Sequence, residues 1–220
     1  MATMYETIMD LPLFKGVGKD QISQFLEKTR IDFVNYEKGE VLSTAGSTQD
    51  IVGFVINGEI EVSHHLDNLN IEIIETRGRG SVIGAERLFG IHRNSPYMVK
   101  ALSRLSLMQF SKVQYINLLE SDHIYLFNYL NFLSARGQRG DEAFRSLKSN
   151  DIGSKLWLLV DILTTPGALQ IEIRGNEKDV AAYCGCTQCE LIEWKKSRIK
   201  GDDILYDGDS IILIKNECKV

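Results

Sequence analysis

Three stretches of the chain differ in the spacing of their hydrophobic positions. Residues 1–30 place Ile22, Phe25 and Leu26 on one face at helical spacing, which predicts a helix. Residues 31–111 consist of short runs rich in Val, Ile and Phe that glycines interrupt at close intervals. Such frequent turn signals predict an antiparallel β-barrel or jelly roll.

Two connections inside this β-rich region predict hairpins. Residues 51–65 form two hydrophobic runs joined by Asn57 and Gly58. An Asn-Gly pair between such runs is a strong signal for a two-residue hairpin turn. A second hairpin is predicted around residues 67–70.

From about Val113 the hydrophobic positions follow a helical period. Seven positions alternate spacings of four and three, the heptad pattern of a helix that pairs with a copy of itself. The predicted dimer seam consists of Leu126, Leu130, Leu133, Gly137, Gly140, Phe144 and Leu147. Two alternatives stay open: one amphipathic helix that packs on the barrel, or two helices broken between Gly137 and Gly140.

The C-terminal part of the chain alternates short helices and strands. A helix is predicted over residues 154–163, ending at Thr-Pro-Gly, and a strand follows over residues 169–173. Residues 204–214 predict two further strands with a turn at Asp207 and Gly208.

Residues 177–194 fit the packing rules of two helices joined by a tight turn. Ala181 supplies the small residue where the helices cross, Gly185 tolerates the positive φ of the turn, and Thr187 fits an N-cap. The predicted inward positions are Val180, Cys184, Cys186, Leu191 and Trp194. With the two strands that follow, this predicts a winged helix-turn-helix, whose second helix usually lies in the DNA major groove. An ordinary helical hairpin with a glycine turn is the alternative.

Composition adds limits on the class of protein. The chain has 220 residues, of which 44% are hydrophobic, so it has ample material for a core. It has no apolar run long enough for a transmembrane helix, and its N-terminus lacks the pattern of a secretory signal. All four cysteines follow residue 183, and three lie within six positions, which favours a reducing, cytoplasmic setting over a disulfide framework.

The charge balance limits DNA binding. The net charge is −5, and residues 151–220 carry nine Lys or Arg against twelve Asp or Glu. A local basic run, Lys195, Lys196, Arg198 and Lys200, would supply phosphate contacts, or else is a solvated helix end. We therefore expect modest affinity that depends sharply on salt.

In the order of its parts, the chain resembles the catabolite-activator/FNR (Crp/Fnr) family of bacterial transcription regulators. The resemblance rests on five segments: LPLFKGV (11–17), YEKGEVLSTAGS (36–47), FVINGEIEV (54–62), RGSVIGAERLF (79–89) and DIGSKLWLLVDIL (151–163). It implies an α+β fold with an N-terminal cyclic-nucleotide-binding-like β-barrel (jelly roll), a long dimerisation helix and a C-terminal winged helix-turn-helix. The expected domains are residues 1–112, 113–150 and 151–220.

The resemblance also implies a function. Family members are homodimers that bind palindromic double-stranded DNA, contact RNA polymerase and respond to a small-molecule effector. We therefore expect a transcription regulator and not an enzyme, with no membrane partner and no cofactor. Its effector is left unidentified.

The expected effector pocket departs from the pattern of cyclic-nucleotide binders. Their Gly-Glu and Arg-Ser pairs, which bind ribose and phosphate, correspond here to Gly84-Ala85 and Ser95-Pro96. Glu86 is displaced by one residue, which on a strand would face the other way, and Arg93 would need a local shift. The degenerate pocket thus comprises Gly84, Ala85, Glu86, Arg93, Ser95, Pro96, Gly140 and Asp141. We predict that cyclic AMP does not bind in the usual way, because a buried phosphate lacks its partners.

The expected DNA-reading face lies on the second helix of the predicted pair. Its residues are Thr187, Gln188, Cys189, Glu193, Lys196 and Arg198. Gln188 would bind adenine, Glu193 would accept from cytosine N4, and Thr187 would contact a phosphate or a thymine methyl group. The family's familiar arginines are missing here, so we expect a different operator.

Other chemistries are less consistent with the sequence. No cysteine precedes Cys184, which argues against the family's iron–sulfur site, and the adjacent His64 and His65 would point to opposite faces of a strand. We expect all four histidines at the surface. A shared metal on the three clustered cysteines would require unfolding the helical pair, but Cys189 would be an oxidisable thiol. The functional alternative is a ligand-sensing or protein-interaction module of the same fold without DNA binding; a cupin-type enzyme would need a clustered metal site that is missing.

Overall fold

The structure, a computed structural model, describes residues 4–28, 31–66, 68–145, 147, 151–198, 204–207 and 210–213. The chain divides into two compact units. Unit 1 comprises residues 1–60, 78–95 and 99–137, and unit 2 comprises residues 61–77, 96–98 and 138–220. Helices and antiparallel strands occur in both units, so the predicted α+β class is confirmed.

The helices follow the hydrophobic periods of the sequence. They are α1 (Met4–Met9), α2 (Lys19–Lys28), α3 (Lys112–Ser121), α4 (His123–Arg145), α5 (Ile152–Leu163), α6 (Glu177–Cys184) and α7 (Gln188–Arg198). None of the helices in the described ranges is long and apolar enough to cross a membrane.

The strands follow the short runs between the glycines. They are β1 (Asp32–Tyr36), β2 (Val41–Ser43), β3 (Ile51–Asn57), β4 (Ile60–Leu66), β5 (Ile71–Arg77), β6 (Val82–Ile83), β7 (Met98–Ala101), β8 (Leu105–Ser111), β9 (Gln170–Arg174), β10 (Ile204–Asp207) and β11 (Ser210–Leu213). The predicted jelly-roll-like arrangement of antiparallel strands is therefore confirmed.

Unit 1 is built on a four-stranded sheet in the order β1-β8-β3-β6. Phe54 on β3 lies opposite Met108 on β8, and both side chains are buried. The aromatic rings of Phe14, Phe54 and Phe110 belong to the same buried cluster, to which α4 adds Tyr125. The alternating side chains of the strands thus bury one face against the helices, as strand geometry requires.

The hairpin predicted at Asn57 and Gly58 is wrong in its pairing. Gly58 does have a positive φ of +92°, so the chain turns there. However, β3 pairs with β6 and β8, whereas β4 lies beside β5 in the other sheet. Glu59 instead exchanges hydrogen bonds with Leu102 and Ser103, so the turn directs the chain from one sheet to the other.

Helix α4 continues through both glycines. It contains 23 residues and includes Gly137 and Gly140, so the alternative of two helices broken at these residues is wrong. The cost of each glycine, about 1 kcal/mol relative to Ala, is not enough to interrupt the helix. The second predicted hairpin is also confirmed, because β4 and β5 are neighbours across a turn with Asn70 at φ +46°.

Unit 2 contains a sheet in which β5 pairs with β9. The strand order within the unit is β10-β11-β9-β5-β4, and Ile73 lies opposite Ile173. These residues form a core with α5, α6 and α7 that includes Leu156, Val180 and Leu191. The pairing of β10 with β11 extends to Asp207 opposite Ser210; of the two predicted turn residues, Asp207 ends β10 and Gly208 lies outside the described residues.

A buried ionic cluster lies inside unit 2. The Glu75 carboxylate is fully buried and is paired with the Arg77 guanidinium. Thr165 donates to the same carboxylate from its backbone nitrogen (2.8 Å) and its hydroxyl (2.9 Å). His64 Nε2 lies 3.9 Å from Glu75 Oε1 and the His64 side chain is buried. The expectation that every histidine lies at the surface is therefore wrong for His64, although His65 on the opposite face is exposed.

Candidate functional site

The turn between α6 and α7 has the geometry that its sequence predicts. Gly185 adopts φ +65° and ψ +37°, a left-handed conformation that glycine adopts without steric cost. The backbone nitrogens of Gly185 and Cys186 donate to Ala182 and Ala181 at the end of α6. Lys155 from α5 donates to the carbonyl of Cys184, which also satisfies the end of the helix.

The packing face of the α6–α7 pair matches the predicted inward positions. Val180, Ala181, Cys184 and Leu191 are buried, and Cys186 and Trp194 are half-buried against the same core. Trp194 also contacts the start of α5, where a Cβ on Gly153 would lie 3.4 Å from its ring. Helices α5 and α6 therefore hold α7 in a fixed position within unit 2.

Thr187 begins α7 as the predicted N-cap. Its hydroxyl accepts from the Glu190 backbone nitrogen at 3.2 Å, and Glu190 Oε2 accepts from the Thr187 backbone nitrogen at 2.8 Å. This reciprocal arrangement is a capping box. Its Thr-x-x-Glu pattern is visible in the sequence, but the N-cap was predicted from Thr187 alone. The two Thr187 donors lower the pKa of Glu190. Since the Thr187 hydroxyl also donates to Glu190, its methyl group is what remains for an outside partner.

Helix α7 and its N-cap carry the predicted DNA-reading residues. All six are exposed: Thr187, Gln188, Cys189, Glu193, Lys196 and Arg198. Arg198 lies over the ring of Trp194 at 6.0 Å from its centroid, which holds the guanidinium near the end of the helix. The assignment of these residues to DNA stays a prediction.

The basic run at the end of α7 is smaller in the structure than in the sequence. Lys195 is buried, with 6% of its surface exposed, and its ammonium group pairs with Glu177 on α6 at 3.2 Å. The expectation that Lys195 faces a phosphate is therefore wrong. Lys196 and Arg198 stay exposed, and Lys200 lies outside the described residues.

The three cysteines near the turn lie in different environments. Cys184 is buried, Cys186 is half-buried and Cys189 is exposed. Burial raises the pKa of the Cys184 thiol to about 11, and burial followed by the charge of Glu190 raises the pKa of Cys186. A thiol with a raised pKa carries little thiolate at neutral pH, so Cys184 acts as a small hydrophobic residue.

Helix α4 exposes apolar side chains along the predicted dimer seam. Leu126, Leu130 and Phe144 are exposed, and Leu133 is half-buried. At Gly137 and Gly140 an added Cβ would meet no atom within 4 Å in the described residues. Leu147 lies beyond the end of the helix. The self-pairing of this stripe stays a prediction.

The segment after β6 contains the first half of the predicted effector pocket. Gly84 has φ +80°, and Ala85 and Glu86 lie in a 3₁₀ helix, Ala85–Arg87. The strand argument for Glu86 is therefore wrong. Its carboxylate lies 3.7 Å from the guanidinium of Arg136 on α4, and the hydroxyl of Tyr129 donates to the Ala85 carbonyl at 3.0 Å.

Arg93, in the second half of the pocket, already has an anionic partner. Its guanidinium pairs with the carboxylate of Asp50 and donates to the Gln49 carbonyl at 3.5 Å. Neither partner could be predicted from the sequence, because 43 positions separate Asp50 from Arg93 and no local pattern links them. Ser95 is buried in unit 1, and Pro96 is exposed in unit 2.

The two predicted pocket residues on α4 are also placed in unit 2. Gly140 is half-buried, and the exposed Asp141 carboxylate lies 3.7 Å from Arg145 one turn later. An exposed pair of this kind contributes little to stability. The assignment of Gly140 and Asp141 to an effector stays a prediction.

A cleft of about 360 Å³ opens in unit 1, with Gln49 and Asp50 among the residues that line it. It is lined by β2, by the loop up to Asp50, and by Gly53, Ile83 and Gln109 on neighbouring strands. Its polar groups are hydroxyls, carboxamides and one carboxylate, and no described residue that lines it is basic. The cleft thus offers hydrogen bonds without a positive charge of its own.

Comparison with protein families identifies the barrel. Residues 33–122 match the model of the cyclic nucleotide-binding domain. No curated protein matches the chain. Unit 1 therefore contains most of a domain whose family takes its name from cyclic nucleotides, although Glu86 and Arg93 of the predicted pocket are paired with Arg136 and Asp50.

Solved structures share the fold over nearly the whole chain. The catabolite activator protein of Thermus thermophilus is 15% identical, with 93% of each chain covered and a TM-score of 0.56. The c-di-GMP responsive global regulator CLP of Xanthomonas campestris is 18% identical, covering 90% of this chain and 100% of its own, with a TM-score of 0.55. A transcriptional regulator of Thermotoga maritima is 17% identical over 58% of this chain and 97% of its own, with a TM-score of 0.50.

These likenesses establish the fold. Residues 33–122 form a cyclic nucleotide-binding domain, and the predicted resemblance to the Crp/Fnr family is confirmed at the level of the fold, which the chain shares with the catabolite activator protein and CLP. Identities of this size establish the fold. What the chain binds is argued from its own residues.

Proposed function

We propose that the chain is a homodimeric transcription regulator of the Crp/Fnr type that binds double-stranded DNA through α7. The observation that carries the proposal is the α6–α7 pair: a left-handed glycine turn, a buried packing face and an exposed second helix. With β9, β10 and β11 this pair forms a winged helix-turn-helix. An exposed helix of 11 residues, about 16 Å long, fits the major groove.

Particular residues of α7 have separate roles in this proposal. Gln188 binds an adenine edge through its carboxamide, Glu193 accepts from cytosine N4, and Lys196 and Arg198 contact phosphates. Thr187 offers its methyl group to thymine, since its hydroxyl is bound in the cap. Cys189 lies between these contacts and is exposed to solvent.

The rest of the chain has complementary roles. The barrel domain comprises residues 1–112, the dimerisation helix and hinge residues 113–150, and the DNA-binding domain residues 151–220. The exposed stripe on α4 pairs with its copy, so that two α7 helices bind a palindromic operator near a promoter, where the dimer contacts RNA polymerase. The protein acts in the cytoplasm and carries out no enzymatic reaction.

The most direct test of DNA binding uses the full chain and random duplexes. Selective enrichment is expected at low salt and is expected to weaken sharply at moderate salt, because phosphate contacts release counterions. Lys196→Ala should lower affinity for all sequences alike, whereas Lys38→Ala, an exposed lysine in unit 1, should have no effect. No selective enrichment at either salt concentration would favour the alternative, a ligand-sensing or interaction module.

The barrel does not respond to cyclic AMP in the usual way. The position that would bind the ribose hydroxyl is Ala85, and Arg93, the arginine considered for the phosphate, is paired with Asp50. Calorimetry of the full chain should therefore detect no saturable binding of cyclic AMP. A dissociation constant in the micromolar range would contradict this part of the proposal.

A further inference from the structure

Gln49 fills the space beside Gly84. A glycine with positive φ lets another group approach its backbone closely, and here that group is the carboxamide of Gln49. Gln49 is buried, with 8% of its surface exposed, and donates to the Ile51 carbonyl. A Cβ on Gly84 would clash with Gln49 and would lie 2.6 Å from that same carbonyl. The approach to Gly84 is therefore occupied by the chain itself.

The backbone fixes Gln49 and Asp50 next to Arg93. The Gln49 nitrogen donates to the Arg93 carbonyl at 3.0 Å, and the Ser95 nitrogen donates to the Ser47 carbonyl at 2.8 Å. Thr48 and Asn94 form a β-bridge between these bonds. The loop that carries Asp50 is thus held against the Arg93 segment by a short antiparallel ladder, which places the Asp50 carboxylate on the Arg93 guanidinium.

The guanidinium retains unused capacity to bind an anion. Arg93 Nε is buried and finds no acceptor among the residues that the structure describes. The Asp50 side chain is 63% exposed, so the backbone ladder, and not burial, keeps its carboxylate beside Arg93. No basic residue lines the adjoining cleft in the described part of the chain, so the positive charge beside Asp50 comes from Arg93.

We infer that Gln49 and Asp50 occupy the chain's own anion site, with the Asp50 carboxylate in the place of a phosphate. The site belongs by chemistry to a phosphate ester, since Gln49 contacts the Arg93 guanidinium through its carbonyl and Gly84 through its carboxamide, and a guanidinium suits that group. In the wild-type chain this loop excludes such a ligand. The inference rests on the proposed insensitivity to cyclic AMP. It adds a second cause to the missing ribose and phosphate partners, because the chain itself occupies the site.

Removal of the internal carboxylate should open the site. We expect the full-length wild-type chain to bind neither inorganic phosphate nor cyclic AMP in calorimetry. Asp50→Ala and the isosteric Asp50→Asn should each bind inorganic phosphate at least about tenfold more tightly than the weakest binding that the calorimeter detects. Adding Gln49→Ala should extend this gain to cyclic AMP, because the larger ligand needs the space beside Gly84. Adding Arg93→Ala should abolish both gains.

A matched control is available in the same unit. Asp10 and Arg79 form another partly exposed pair, 3.1 Å apart, and Asp10→Ala frees an arginine that has no occupied glycine site beside it. This variant should gain no anion binding. Anion binding by Asp10→Ala equal to that of Asp50→Ala would overturn the inference, as would no gain in either Asp50 variant. Tight binding of cyclic AMP by the wild type would instead contradict the proposed insensitivity to cyclic AMP. The failure of the inference and the failure of the proposed function therefore give different results.

Discussion

Glu75 is a buried carboxylate that several donors satisfy together. Arg77, both donors of Thr165 and the nearby His64 surround it. Burial of a carboxylate without such partners would destabilise the fold, and with them it links β5 to Thr165, two residues after the end of α5. The cluster therefore ties two separate segments of unit 2 together through one side chain.

Replacement of Glu75 should destabilise the fold strongly. Glu75→Gln removes the carboxylate that pairs with the Arg77 charge and should lower the free energy of unfolding by about 3 kcal/mol. Urea denaturation measures the change. Glu72→Gln on the same strand removes an exposed pair with Arg174 and should cost less than about 1 kcal/mol. Equal effects of the two substitutions would show that the buried cluster stabilises the fold no more than the pair between Glu72 and Arg174 does.

The same carboxylate should make stability depend on pH. Burial alone raises its pKa, but the nearby His64, the charge and hydrogen bond of Arg77 and the Thr165 backbone nitrogen outweigh burial, and the pKa falls from 4.5 to about 2. The contribution of Glu75 is therefore present above pH 4.5 and is lost as pH falls towards 2. Unfolding free energies measured across this window should fall less steeply for Glu75→Gln than for the wild type. Parallel curves would contradict the assigned pKa.

Cys189 provides a residue-scale test of the α7 face. Because it is exposed among the proposed base contacts, a bulky thiol reagent should impair DNA binding, and Cys189→Ser should remove most of this sensitivity. Cys184 is buried with a raised pKa and should react slowly. Band-shift measurements before and after treatment give the result. An equal response of wild type and Cys189→Ser would contradict this placement of Cys189.

At the scale of elements, local sequence signals predicted most helices and turns. Gly185 and Thr187 set the α6–α7 turn because their effects act within a few residues. Asn57 and Gly58 predicted a turn equally well but not its pairing, since partners for β3 lie on β8 and β6, far along the chain. Strand pairing is a property of distant segments, and a turn signal alone does not determine it.

Helix α4 carries the prediction about self-association. Leu130 is 46% exposed on the stripe, and Leu130→Glu should place a charge in the dimer seam and convert the dimer to a monomer. Val113→Glu on α3 is the matched control, because Val113 is exposed but lies outside the seam. Light scattering coupled to gel filtration measures both masses. A monomeric wild type, or a dimeric Leu130→Glu, would contradict the seam.

At the scale of the whole molecule, the order of parts was predictable and the connections inside them were not. The barrel, long helix and helical pair each have a period that the sequence displays. The pairing of β5 with β9 and the Glu75 cluster join residues about a hundred positions apart, without a local pattern. The candidate pocket shows the same limit: the sequence revealed which partners were missing, but not that Gln49 and Asp50 fill their place.

The central claim is that two copies of the chain bind one operator with their α7 helices. Selection of the full-length chain against random duplexes tests it most directly. We predict an enriched inverted repeat with half-sites about 34 Å apart, centre to centre. Gln188→Ala should lose the preference for one base pair in each half-site, whereas Gln24→Ala, an exposed residue of α2, should select the wild-type sequence. No enriched sequence, or an unchanged sequence with Gln188→Ala, would contradict the account.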